Sequence, residues 1–166
     1  MEGFIASIPG RLLIGLIVGF IGGMLSFALG QMLPRRWFDP EAFPYRAHPW
    51  EKNGAVYEKL GVRLWKDHVP DMSRIIPKMV KKKAALAQTS HDMERLARET
   101  CVAETVHWAL IVVMSPIVGI SIGGILGRVI GVLYGLGNTL FIIIQRYNRP
   151  RLVRVLKRME RKPGHA

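Results

Sequence analysis

The chain has 166 residues, 49% of them hydrophobic, and a formal net charge of +12. This length leaves room for one domain or a small bundle, and the basic charge calls for an anionic partner, either nucleic acid or a membrane surface. The distribution of charge speaks against nucleic acid: no recognised binding motif accompanies the basic residues, and most of the aromatics lie beside long apolar runs.

The first of those runs comes early. No charged residue stands between Arg11 and Arg35, so residues 12–33 supply the roughly 20 positions that a helix needs to cross hydrocarbon. The stretch GQMLPRRW places a basic stop where a cleaved signal peptide would carry small residues, which favours a retained transmembrane helix.

Residues 34–104 form the next region. Trp37, Phe38, Phe43, Tyr45, Trp50, Tyr57 and Trp65 crowd its first half, and amphipathic rings favour the headgroup level. The expectation is a set of short elements lying on the membrane interface, with a compact soluble subdomain as the alternative. YEKLGVRLW reads either as a helix ended by Gly61 or as a hairpin. From Met72 to Glu104 the pattern turns helical, with Ile75, Ile76, Met79, Leu86 and Leu96 set among charges. The lysines from Lys81 to Lys83 fit a solvated face or a contact with anionic lipid.

A second apolar block, Val106 to Ile144 within residues 105–145, is interrupted only by His107 and Arg128. A single straight helix of that length would nearly double the roughly 30 Å of hydrocarbon, so the block is predicted to fold back as a hairpin. An arginine at mid-bilayer costs about 3 kcal/mol, which puts Arg128 near the turn, around Gly119 to Arg128. Gly15, Gly19 and Gly23, then Gly119, Gly123, Gly127, Gly131 and Gly135, recur every fourth residue and would let helix backbones approach closely. Packing among the spans is the plain use of these glycines, and a homo-oligomer through the same faces is the other. The unbroken phase from Gly119 to Gly135 runs against a turn inside it; with the turn elsewhere, Arg128 would need a buried partner.

Residues 146–166 form a basic tail. Every Lys and Arg except Arg11 and Arg128 falls between Arg35 and Arg98 or between Arg146 and Lys162. The positive-inside rule places both blocks in the cytoplasm. The fold class is therefore an all-α membrane protein, a single membrane domain of about three transmembrane helices plus cytoplasmic interfacial helices. The lone Cys101 then lies on the reducing side and forms no intrachain disulfide; a catalytic role for it lacks a supporting dyad.

Two stretches carry candidate chemistry. In ETCVAETVHW, Glu104 and His107 are three apart and share a helix face, with Glu99 two turns below His107 on nearly the same face. An ionisable pair at a membrane boundary suggests a site; the plain alternative is an interfacial histidine satisfied by Glu104, with Trp108 as a belt residue. Glu-x-x-His is also half of a di-iron motif, but the chain has one copy only, so no metal is expected. In FIIIQRYNRPRL, Arg146, Asn148, Arg149 and Arg151 follow Gln145 at the exit of the third span, with Asn138 on the face of Gln145. Guanidinium forks grip phosphate or carboxylate at two points, whereas a simple anchor would not require the Gln, Asn, Tyr and Pro. The assumed topology brings both stretches to one interface.

At ET, AE and HW within residues 99–108, and at QRYNRPRL over residues 145–152, the chain resembles the glycosyl-4,4'-diaponeurosporenoate acyltransferases, small bacterial membrane proteins that put a fatty acyl group on the sugar of a C30 glycosyl carotenoid. WEKNGAVYEKLGVRLWKD adds a weaker match. The resemblance implies transfer of an acyl chain to a sugar hydroxyl of a glycosylated lipid in the bacterial cell membrane, and the charge distribution puts the active face on the cytoplasmic side. On that basis His107 is the expected general base, with Glu104 holding its tautomer and Glu99 in support. Arg146, Arg149 and Arg151 would bind phosphates of an acyl thioester co-substrate, acyl-CoA or acyl carrier protein, with no bound cofactor. Asn138, Gln145 or Asn148 would donate to the oxyanion, and Trp108 joins the substrate-binding set. Acylation of another glycolipid or headgroup and a non-enzymatic adaptor on anionic lipid are the competing readings.

Overall fold

A computed structural model describes residues 7–69 and 89–161. Much of the predicted helix before Ser90, including Lys81 to Lys83, lies outside the described residues. Among those described there is no strand, and the helices Ile8–Met32, Ser90–Ile122 and Gly124–Glu160 are long and apolar enough to cross a membrane. The protein is an all-α membrane protein, as the apolar runs indicate. Its residues group into two compact units, one of residues 1–33 and 103–142 and one of residues 34–102 and 143–166.

In the first unit, α1 (Ile8–Met32) starts where the Ser7 hydroxyl accepts from the Gly10 amide at 3.3 Å and Pro9 sits in the first turn, where its missing N–H costs nothing. It stops at the extended Leu33, which Pro34 disfavours from helical geometry. α4 (Ser90–Ala109) runs into a π-helical turn, Leu110–Met114, closed by the Ser115 amide on the Leu110 carbonyl, and then into α5 (Ser115–Ile122). Pro116 accounts for the widened turn: in α register its ring would meet the carbonyl four residues back.

The chain reverses at Gly123 and Gly124, with φ of 74° and 62°, and returns as α6 (Gly124–Glu160). The reversal falls inside the predicted window. Arg11 closes it, donating from Nε to the Ile122 carbonyl, which leaves a cation on the otherwise open carbonyl end of α5. The glycine repeat and the turn coexist because Gly123 is the turn and Gly119 lies across the hairpin from Gly127 and Gly131. A Cβ on Gly127 would overlap the Gly119 carbonyl, and one on Gly131 would lie 2.8 Å from the Ser115 carbonyl oxygen. On α1, Gly15 receives Ile122 and Gly22 receives Met114, whereas Gly23 has nothing within 4 Å. Gly15, Gly22, Gly119, Gly127 and Gly131 thus serve packing within the chain.

In the second unit, Gly61 (φ 64°) ends one short helix and begins another: α2 (Ala55–Lys59) and α3 (Val62–Trp65). YEKLGVRLW is therefore helix, turn, helix. Tyr57, Val62 and Tyr147 form a buried core, flanked by Trp65, Ile143 and Ile144. The stretch expected to be a tail continues as helix to Glu160, through Pro150. Pro150 has no N–H for the Arg146 carbonyl, and the backbone packs Gly54 against this stretch. Gly54 is left-handed at φ 89°, and a Cβ there would sit 3.3 Å from the Tyr147 carbonyl and 3.0 Å from Arg151.

Candidate active site

His107 lies near the end of α4, half-buried in the first unit. Its Nδ1 is 2.9 Å from Oδ1 of Asn138 on α6, and its ring stacks on Phe141 with centroids 4.5 Å apart and planes 9° apart. Asn138 is itself held, donating from Nδ2 to the Tyr134 carbonyl one turn earlier at 2.9 Å. Thr139 caps back onto the Gly135 carbonyl in the same way. Glu104, one turn before His107, is only 2% exposed. The partner seen at Nδ1 is thus Asn138, from another helix. Trp108 is 50% exposed, as suits a ring turned outward at a membrane boundary.

Glu99, Gln145, Arg146, Asn148, Arg149 and Arg151 fall in the second unit. Glu99 receives Arg35 at 2.8 and 3.2 Å through two nitrogens of one guanidinium. Arg98 binds Glu94 and also reaches the carbonyls of Arg35 and Phe38 at 3.1 and 3.3 Å. These two arginines tie the segment after α1 to α4.

Arg149 is 2% exposed. Its Nε donates to the Thr100 hydroxyl at 2.8 Å, Nη2 to the Thr100 carbonyl at 3.0 Å and Nη1 to the Tyr45 carbonyl at 2.6 Å, with the Tyr45 ring 5.4 Å from the guanidinium carbon. A side chain so enclosed, with donors on three protein acceptors, is a clamp on the backbone. It is not the open phosphate fork expected from the sequence.

Arg146 bridges both carboxylate oxygens of Glu51 at 2.9 Å and the Pro44 carbonyl at 2.8 Å. Glu51 is 1% exposed and also receives the Tyr57 hydroxyl and the His48 amide. Burial works to raise its pKa, but the Tyr57 and His48 hydrogen bonds and the Arg146 charge outweigh it, so the carboxyl titrates below its usual value. Arg151 lies over the Tyr147 ring at 3.6 Å and pairs with the more exposed Glu58 at 2.6 Å. Gln145 and Asn148 are half-buried on α6. Cys101 is buried, its sulfur 3.6 Å from the Ala97 carbonyl. Among the described residues no cluster of three or more His, Cys, Asp or Glu is placed to hold a metal ion.

Sequence reasoning missed Phe141, Tyr134, Glu51 and Arg11. Phe141 and Asn138 are three apart, a spacing that puts both on one helix face. Glu51 gave no signal, because its partners come from 95 residues away as well as from its own turn.

The family profile of the glycosyl-4,4'-diaponeurosporenoate acyltransferases matches residues 34–158, a stretch that includes His107, Asn138, Phe141 and the arginines of QRYNRPRL. The chain belongs to this family. Glycosyl-4,4'-diaponeurosporenoate acyltransferases of Staphylococcus aureus strains Newman, N315 and USA300 are each 29% identical to it over 136 residues, covering 81% of this chain and 81% of the relative. No solved structure matches. Family membership makes the protein an acyltransferase in class, with the membrane character its three apolar helices give it.

Proposed function

We infer that the protein transfers a fatty acyl group to a sugar hydroxyl of a glycosylated membrane lipid, a glycosyl carotenoid of the diaponeurosporenoate type. The observation that carries this is the family match over residues 34–158, supported by a histidine whose ring is fixed at one nitrogen and on one face. In this reading His107 accepts the proton of the sugar hydroxyl as its oxygen attacks the acyl carbonyl carbon of a thioester, acyl-CoA or acyl carrier protein. The tetrahedral intermediate collapses, the C–S bond breaks, and the imidazolium returns the proton to the departing thiolate. Burial of Arg149 moves the phosphate-binding role toward Arg151, whose side chain and whose partner Glu58 are 31% and 56% exposed, against 13% and 1% for Arg146 and Glu51. The positive-inside rule sets the first helix's start outside and the arginine-rich segments in the cytoplasm, which gives a multi-pass protein with a cytoplasmic active face.

The test is expression in a bacterium that accumulates glycosyl-4,4'-diaponeurosporenoate and has no acyltransferase for it, followed by mass spectrometry of extracted lipids. A gain of one fatty acyl mass on the glycosyl carotenoid is expected. An unchanged carotenoid with an acylated second glycolipid would reassign the acceptor, and an unchanged lipid profile would overturn the reading.

A further inference from the structure

We propose that Asn138 is the positioning residue that sets the tautomer of His107, and that Phe141 sets the plane of its ring, so that Nδ1 carries the proton and Nε2 the lone pair. This rests on the reading of His107 as the proton acceptor in acyl transfer.

Donor and acceptor chemistry fixes the assignment. The Tyr134 carbonyl only accepts, so the atom of Asn138 facing it at 2.9 Å must be the amide nitrogen. That choice turns Oδ1 toward His107. A carbonyl oxygen also only accepts, so at 2.9 Å the neutral ring must donate from Nδ1. In a neutral imidazole one nitrogen bears hydrogen and the other a lone pair, which leaves the basic site at Nε2.

The support is rigid at each step. Tyr134, Asn138 and Phe141 lie on successive turns of α6, and Asn138 is buried. The nearly parallel Phe141 ring restricts rotation of the imidazole about its last torsion. The partner at Nδ1 comes from a different helix, 31 residues away.

The test uses the full chain with 15N-labelled histidine in lipid nanodiscs, at about pH 8 so that an ordinary imidazole is neutral. Subtraction of the His107→Gln spectrum isolates His107 from the other four histidines. The expected spectrum has directly bonded hydrogen at Nδ1 and a pyridine-type Nε2. Asn138→Asp, which keeps an acceptor oxygen, should preserve that pattern, and Asn138→Leu should lose it. In acyl transfer, Asn138→Leu should lower kcat about tenfold or more with donor KM within about twofold, and Asn138→Asp should recover most of the rate.

Hydrogen on Nε2 in the wild-type spectrum would overturn the proposal without recourse to any variant at position 138. So would an unchanged tautomer in Asn138→Leu. If the spectra are as expected but His107→Gln acylates at the wild-type rate, the tautomer assignment stands and the functional reading falls. If His107→Gln is inactive and hydrogen is on Nε2, the reverse holds.

Discussion

Arg149 grips Thr100 twice, by the side-chain hydroxyl at 2.8 Å and the main-chain carbonyl at 3.0 Å, and so fastens α6 to α4 at one residue. A third bond to the Tyr45 carbonyl brings the aromatic-rich segment under the same guanidinium.

Arg149→Lys should therefore destabilise the protein. An ammonium cannot serve three acceptors in a planar fork, and a buried carbonyl left without a donor costs about 1–3 kcal/mol. The expected loss is about 2 kcal/mol, measured as a lower unfolding midpoint in detergent. An unchanged midpoint would mean that positive charge alone suffices, which is what a lipid-gripping adaptor requires.

Glu51 makes the second unit acid-sensitive. Its folded pKa is depressed, so the stability it contributes is fully present above its ordinary value of 4.5 and is lost as pH falls through the lower, folded value. Wild type should lose stability more steeply than Glu51→Gln on acidification below that point. The variant should already be weaker at neutral pH, where Arg146 has lost its counter-charge. Parallel pH curves for the two proteins would argue against the Glu51–Arg146 pair as the cause.

Gly127 and Gly23 should respond oppositely to alanine. The new methyl group at 127 would overlap the Gly119 carbonyl, forcing α5 and α6 apart at a cost of about 1–3 kcal/mol. At 23 the space is open, so alanine should be neutral or mildly stabilising. Thermal unfolding of both variants in the same detergent compares them directly, and equal midpoints would contradict the packing role of the hairpin glycines.

His107→Gln keeps size and polarity but cannot accept a proton at physiological pH. Acyl transfer should fall by about 10²–10⁴, with the amount of protein recovered in the membrane unchanged. Wild-type rates in lipid extracts would remove His107 from the reaction.

The spans were legible because hydrocarbon demands long uncharged stretches, and residues 12–33 and 105–145 advertise them in one dimension. The hairpin turn was legible to within a window, since the cost of an arginine at mid-bilayer drew it toward residues 119–128, where Gly123 and Gly124 make it. Side-chain partners were not. Helical spacing names which residues share a face, but it is silent on what faces them from another helix. Hence spacing along α4 gave no sign of Asn138, which faces His107 from 31 residues away, or of Arg35, which faces Glu99 from 64 residues away. The arginines of QRYNRPRL were recognisable as planar, multi-point binders. Their quarry proved to be the protein's own carbonyls and carboxylates, which only the folded arrangement of residues 44–58 and 100 discloses.

The widened turn at Leu110–Met114 acts as a spacer in the helix's rotary indexing. The widened turn encloses one residue more than an α turn, so that residue is taken up with little net rotation between His107 and Ser115. Inserting a second residue there would exceed what one such turn absorbs and swing the imidazole by about 100°, out of the sector that Asn138 and Phe141 occupy. A lengthening by one residue at this point would thus leave an inserted protein with its chemistry aimed at the wrong quadrant.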